Sequence, residues 1–249
     1  MNFSYKEIDI EGEETLERIG GAQQFNFWMY SVIKPYCSGK VLELGSGIGN
    51  VSTYFVNDVY SITLSDIRPN YCKKLEHRFK ESSAVEEIRL LDLVHPDFNT
   101  EYNDLLGTFD TVFALNLIEH IENDLQAIRN CNSLLKPGGK LIILVPAYQR
   151  LYNSFDKSLL HYRRYSRKSL KQLINSSDQK LMKLFSFNFI GIFGWFWSGS
   201  VLKEKIIPDG QMRMFNRMVP IIRLFDWMVF RRLGLSLISI SICRDKPEN

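Results

Sequence analysis

The run Val41-Leu42-Glu43-Leu44-Gly45-Ser46-Gly47-Ile48-Gly49-Asn50 constrains this chain more than any other part of it. An apolar strand closes on an acid, three glycines follow at alternate positions, and a helix-compatible stretch comes next. Glycine has no Cβ and tolerates φ > 0, so such a turn brings bare backbone against a ligand. The helix N-terminus behind it leaves free N–H groups aimed at the same place. The pattern predicts a strand-turn-helix unit that seats a nucleotide-type cofactor; a tight turn with no ligand is the bland alternative. A dinucleotide fingerprint needs glycine at the first, third and sixth positions. Those positions are Gly45, Gly47 and Asn50 here, so the third glycine is missing and a nicotinamide oxidoreductase is disfavoured.

The next segments extend the pattern. Val59-Tyr60-Ser61-Ile62-Thr63-Leu64-Ser65-Asp66 alternates like a strand and ends in a carboxylate 23 residues after Glu43. Asp66 there suits the two hydroxyls of a ribose, or it caps a helix over residues 67–80. A short strand over residues 88–93 carries Asp92, which is otherwise a surface turn residue. Residues 109–121 read as a buried strand running into the tip Asn116-Leu117-Ile118-Glu119-His120, followed by a helix over 123–135. Leu135-Lys136-Pro137-Gly138-Gly139 stops that helix, and residues 141–145 form a fifth strand.

With Glu-x-Gly-x-Gly-x-Gly, the acid after strand two, the Asn-x-x-Glu-His tip and the Leu-Lys-Pro-Gly-Gly turn in order, the chain resembles the class I S-adenosylmethionine-dependent methyltransferases. Motif support runs over roughly residues 38–190. The resemblance implies an α/β fold: a doubly wound, seven-stranded, mostly parallel Rossmann-like sheet whose last two strands are antiparallel. It implies S-adenosyl-L-methionine as cofactor, held by Glu43, Gly45, Ser46, Gly47, Gly49, Asp66, Asp92, Leu93 and Asn116, with Asp92 meeting the adenine amino group. Alternating strands and helices agree with a parallel sheet covered on both faces, and ligands in such sheets sit at the carboxyl ends of the strands. Residues 1–38 read as an N-terminal helical cover, with an aromatic stretch at Phe25, Phe27, Trp28 and Tyr30. Residues 39–249 read as the methyltransferase domain.

Four cysteines without a Cys-x-x-Cys pair indicate neither a zinc site nor a disulfide framework. The polar, acidic first twenty residues do not resemble a signal peptide, so a cytoplasmic location is expected. The net charge of +3 hides a split: residues 1–149 hold 13 Lys/Arg against 21 Asp/Glu, and residues 150–249 hold 18 against 7. The basic half suits an anionic partner, whether phosphate, nucleic acid or membrane surface; a solvated face is the alternative.

After the fifth strand comes Pro146-Ala147-Tyr148, then Asp156, then His161-Tyr162-Arg163-Arg164-Tyr165-Ser166. Ser166 is a candidate N-cap for a helix over 167–174. The loop resembles that of a bacterial subgroup associated with cell-surface glycan and lipid-linked sugar pathways. Tyr148, Arg163, Arg164 and Tyr165 are the substrate candidates, because guanidinium forks bind phosphate or carboxylate; a structural Arg–carboxylate anchor is the alternative. Strand six is read at 180–189 and strand seven at 236–243. The insert at 190–234 is rich in Phe, Trp and Met and carries Arg213, Arg217, Arg223, Arg231 and Arg232. It suits a helix in a membrane interface, a lid, a dimer face or an apolar segment packed on the core. Residues 184–202 lack charge, but their polar residues and glycines and the need for strand six argue against a membrane span.

His120 and His161 are the candidate catalytic bases, with Glu119 and Asp156 available to orient them. No metal is expected, since no acidic cluster is visible. The sequence thus reads as a methyltransferase acting on a small or lipid-linked, anionic acceptor, with a peripheral contact to an anionic membrane and no nucleic-acid partner. An RNA methyltransferase and a non-catalytic scaffold are the alternatives. The sequence assigns no oligomeric state.

Overall fold

The computed structural model describes residues 10–58 and 60–243. Seven strands form one sheet: β1 (Val41–Leu44), β2 (Ile62–Asp66), β3 (Val85–Leu90), β4 (Phe109–Leu115), β5 (Leu135–Pro146), β6 (Gln179–Phe187) and β7 (Ser236–Cys243). Their order is β3-β2-β1-β4-β5-β7-β6, with β7 antiparallel to both its neighbours and the remaining pairs parallel. Chain order reverses between β1 and β4, which opens a crevice at their carboxyl ends.

Alternation along the strands divides the interior into two cores. Leu42, Leu44, Val112, Ala114, Leu141 and Ile143 point to one face. Val41, Phe113, Ile142 and Leu144 point to the other. The helices that cover these faces are α1 (Ile10–Gly20), α2 (Gln23–Ile33), α3 (Ser52–Asn57), α4 (Pro69–Phe79), α5 (Phe98–Glu101), α6 (Asp124–Leu134), α7 (Ser154–Ser158), α8 (Arg167–Asn175), α9 (Gly191–Trp195) and α10 (Asp209–Met228). Phe55 of α3 stacks on Phe113 with ring centroids 4.8 Å apart. Trp28 of α2 meets Phe187 of β6 at 4.3 Å, so the aromatic stretch of α2 serves largely as core.

Several boundaries differ from the sequence expectation. The start of strand two at Val59 lies outside the described residues, and β2 runs from Ile62. β3 ends at Leu90, so Asp92 stands two residues beyond it. Helix α6 stops at Leu134 and β5 begins at once at Leu135, so Pro137-Gly138-Gly139 lies in an irregular start of the strand and not in a separate turn before residue 141. Ser166 caps α8 by accepting from Ser169 N–H. The insert folds as α9, a π-helical turn over Phe196–Val201, and α10. It is tied down by Asp226, whose carboxylate accepts from the N–H groups of Asn188 (2.8 Å) and Phe189 (2.7 Å). No helix among the described residues is long and apolar enough to cross a membrane.

Candidate active site

The β1–α3 turn holds Gly45, Gly47 and Gly49 at φ +67°, +55° and +82°. A Cβ on Gly45 would lie 2.9 Å from Leu117 Cδ1, and one on Gly47 3.1 Å from Leu16 Cδ1. The turn is locked by Ser46 N–H donating to Ser65 O (2.8 Å) and by Ser52 Oγ–H donating to the Glu43 carboxylate. Burial pushes the Glu43 carboxyl up to about 7 against the bond from Ser52. Asp66, at the tip of β2, takes one backbone donor on each oxygen: Gly47 N–H at 3.0 Å and Arg68 N–H at 2.9 Å. Burial raises its pKa despite these bonds. A carboxylate oxygen has capacity for a further donor, so both oxygens remain able to accept from a diol. Asp92 accepts from Val94 N–H (2.9 Å), and its own N–H donates to Tyr102 Oη (3.0 Å). Asn116 sits at φ +52° at the tip of β4, its N–H held by Leu144 O at 2.8 Å.

These tips open into a cavity of about 450 Å³ that continues to a second group of polar residues. Glu119 and His120 follow β4 in a single 3-10 turn, and His161 approaches from the loop after α7. Tyr162 N–H donates to Glu119 O at 2.8 Å, which fastens that loop to the β4 tip. Glu119 is fully buried, and neither carboxylate oxygen finds a donor on another residue. Burial lifts its carboxyl to about 7, with His161 and Arg164 opposing the rise. The rings of His120 and His161 stand perpendicular with centroids 4.6 Å apart. His120 opens onto the cavity yet lies deep within the molecule. That depth, together with the neighbouring His161, pushes its pKa well below the ordinary imidazole value.

Behind this group stands Asp156, which is inaccessible to solvent. Its Oδ1 meets His161 Nδ1 at 2.8 Å and accepts from Arg164 Nε–H at 2.8 Å. Its Oδ2 accepts from Asn153 N–H at 3.0 Å in a capping box that starts α7. Burial works against the Asp156 carboxylate, but these bonds and charges outweigh it and hold the carboxyl below its ordinary range.

Of the residues singled out in the sequence, Glu43, Gly45, Ser46, Gly47, Asp66, Asp92, Leu93, Asn116, His120, His161 and Arg164 line this one cavity. Gly49 does not; a Cβ there would lie 2.8 Å from Phe79, so its bareness serves helix packing. Three substrate candidates also stand elsewhere. Arg163 pairs with Asp124 (2.8 Å) and Glu122 O (2.7 Å), and Tyr165 Oη–H donates to Asp124 (2.8 Å). Tyr148, at φ +62°, packs against the core beside the loop. Arg164 reaches the wall, but it is 5% exposed, bonded to Asp156 and Ala147 O, and stacked 4.6 Å over Trp195. The loop therefore uses its arginines as anchors, with no free fork for a phosphate. Sequence reading missed the walls supplied by Leu16 and Ile19 of α1 and by Trp195, Met212 and Phe215 of the insert. The N-terminal helical cover and the lid alternative for the insert pointed to these segments without naming the residues.

The bare glycine backbone, the Asp66 carboxylate and the Asp92–Leu93 turn thus border one continuous cavity. Residues 42–141 match the family model described as a methyltransferase domain. A ubiquinone biosynthesis O-methyltransferase of Xanthomonas euvesicatoria is 33% identical over 104 residues, covering 42% of this chain and 41% of the relative. A hybrid PKS-NRPS synthetase of Trichoderma harzianum is 30% identical over 132 residues, 50% of this chain but 3% of the synthetase. The chain thus spans well under half the length of these relatives. Among solved structures, a Haemonchus contortus phosphoethanolamine N-methyltransferase 2 in complex with phosphomonomethylethanolamine and S-adenosylhomocysteine aligns with TM-score 0.60 at 13% identity, over 91% of this chain and 57% of that one. A SAM-dependent methyltransferase from Archaeoglobus fulgidus aligns with TM-score 0.55 at 16% identity, over 87% and 94%. Residues 42–141 thus resemble a methyltransferase domain, and the sheet around them has the fold of solved S-adenosylmethionine-dependent methyltransferases.

Proposed function

We propose that this protein transfers a methyl group from S-adenosylmethionine to a hydroxyl of an apolar or lipid-linked acceptor. One observation carries the reading: a single cavity joins the glycine turn, Asp66 and Asp92 on one side to Glu119, His120 and His161 on the other. The bound cofactor supplies an electrophilic methyl on a sulfonium, a leaving group that needs no protonation. The chain's task is then to align the acceptor oxygen with that methyl and take up its proton. His120 is held neutral by its surroundings, and Glu119 stands beside it with free lone pairs. The named activity of the Xanthomonas relatives, O-methylation, favours oxygen as the acceptor atom.

The apolar character of the acceptor rests on the insert. Trp195, Met212 and Phe215 wall the cavity from inside, while α10 presents a second apolar face outward. Met212, Val219 and Ile222 pack inward, whereas Met214, Met218, Ile221 and Leu224 repeat at helical spacing on the exposed side. Trp227 is 75% exposed and Phe230 79%. Arg213, Arg217, Arg223, Arg231 and Arg232 surround them and are all exposed. Apolar side chains ringed by arginine suit the interface of an anionic membrane, which would deliver a lipid-linked acceptor beside the cavity mouth.

The test is calorimetric binding of S-adenosylhomocysteine to the wild type and to Asp66→Ala, with NADH as control. The expected result is micromolar binding that falls at least tenfold in the variant, since each hydrogen bond to a charged group contributes about 1.5–3 kcal/mol. Equal affinity in both proteins, or no binding at millimolar ligand, would overturn the donor site.

A further inference from the structure

Glu119, His120 and His161 have the geometry of a metal centre. Each offers one ligand atom, and these atoms all lie within 4.8 Å of one another. Bonds of about 2.0–2.2 Å to one ion in tetrahedral geometry would set the ligand atoms roughly 3.3–3.5 Å apart. Closing the group therefore needs shifts of at most about 1.5 Å, which small side-chain rotations supply. The imidazole of His161 is already oriented by its outer nitrogen. His161 Nδ1 is engaged by Asp156 at 2.8 Å, which leaves Nε2 for a ligand. A carboxylate or carbonyl on the far nitrogen is the usual support of a metal-binding histidine.

A second, independent feature points the same way. Glu119 is 0% exposed, and neither carboxylate oxygen has a donor from another residue. A buried carboxylate without donors is costly unless a cation satisfies it. Arg164, the nearest fixed cation, directs its Nε to Asp156 and one terminal nitrogen to Ala147 O.

We propose that Glu119, His120 and His161 bind one divalent transition-metal ion of the zinc type on the acceptor side of the cavity. Two imidazoles and one carboxylate favour such an ion over magnesium or calcium, which prefer oxygen donors throughout. Three protein ligands leave coordination positions open, as in catalytic sites. Those positions face the cavity, where an oxygen of the acceptor would complete the coordination. This role of the ion rests on the methyltransfer reading above, with the bound ion then replacing His120 and Glu119 as the group that activates the acceptor hydroxyl; the binding of the ion rests on neither. No acidic cluster announces the site in the sequence, because His161 is 41 residues away from His120.

The test uses the full-length protein, stripped with a chelator and titrated with Co²⁺ and with Zn²⁺. Co²⁺ should bind at one equivalent and produce visible d–d absorption of a four- or five-coordinate ion, and Zn²⁺ should displace it. Glu119→Gln and His161→Gln should each weaken Zn²⁺ binding at least tenfold, with far-ultraviolet circular dichroism checking that both variants fold. Calorimetry with S-adenosylhomocysteine, run with and without Zn²⁺, separates the two ideas. Metal binding without S-adenosylhomocysteine binding removes the donor-site reading and keeps the metal centre. S-adenosylhomocysteine binding with no stoichiometric Co²⁺ spectrum, or Zn²⁺ affinity unchanged in folded variants, overturns the metal centre.

Discussion

Replacing Asp156 with Asn keeps the shape of the side chain and removes its charge. In the folded protein this carboxylate is solvent-inaccessible and holds Arg164, His161 and the first turn of α7 together. Arg164 has a side-chain exposure of 1%, so the substitution leaves a guanidinium buried with no counter-charge in contact. Breaking a buried pair from one side costs about 3–5 kcal/mol. In a domain of this size each kcal/mol shifts Tm by about 2–4 °C, so the expected fall is about 6–20 °C. The effect also has a pH signature. The folded-state pKa of Asp156 is depressed, so its contribution is fully present above the ordinary carboxyl value of 3.8 and is lost as pH falls through the folded value. The gap between wild type and variant should hold from pH 8 to pH 5 and narrow below pH 4. Thermal and urea unfolding followed by circular dichroism across that range measure it. Adding Arg164→Met to Asp156→Asn should restore part of the loss, because a vacated pair is cheaper than half of one. A neutral-pH loss under 1 kcal/mol, or a gap indifferent to pH, would refute the assignment of Asp156 as the ionised hub of the loop.

Other outcomes follow from the same geometry. Gly45→Ala places a Cβ at φ +67° and 2.9 Å from Leu117, so unfolding in urea should show a loss of about 1–2 kcal/mol, and calorimetry a weaker grip on S-adenosylhomocysteine. Phe113→Ala removes a fully buried ring that stacks on Phe55 and should cost about 3–5 kcal/mol, read from the shift in urea midpoint. Trp227→Ser combined with Phe230→Ser alters only exposed side chains. Tm should stay within a few degrees of wild type while co-sedimentation with vesicles rich in anionic lipid drops severalfold; unchanged sedimentation would remove the membrane contact. Arg163→Ala severs the pair with Asp124 outside the cavity and should leave S-adenosylhomocysteine affinity unchanged.

The convergence of the glycine turn, Asp66, Asp92 and Asn116 on one cavity was legible in the sequence because that wall is built from contiguous pieces. In a doubly wound sheet each strand ends at the same edge, so an acid or glycine that closes a strand reaches the crevice whatever the helices do. Gly45, Gly47, Asp66 and Asn116 are such closures, and their positions follow from strand ends alone. Asp92 fell into place although β3 stopped two residues early, since the turn still leads to the same edge. Gly49 shows the limit of this logic, because its glycine requirement comes from its φ of +82° and from Phe79 on another helix.

The acceptor side was decided by tertiary structure. Arg163 and Arg164 are adjacent and chemically alike, yet one faces Asp124 near the surface and the other is sealed against Asp156 and Trp195. Which way each side chain turns depends on partners contributed by α6, α7 and α9, and local spacing carries no record of them. The meeting of Glu119 and His120 with His161 likewise depends on the loop after α7 folding back to the β4 tip through Tyr162 N–H and Glu119 O. The order of residues was enough for the sheet, the glycine turn at its crevice and an apolar, arginine-bearing insert. Only the folded chain decided which charges are anchors and which carboxylate is left without a donor, because those are properties of residues brought together from separate parts of the chain.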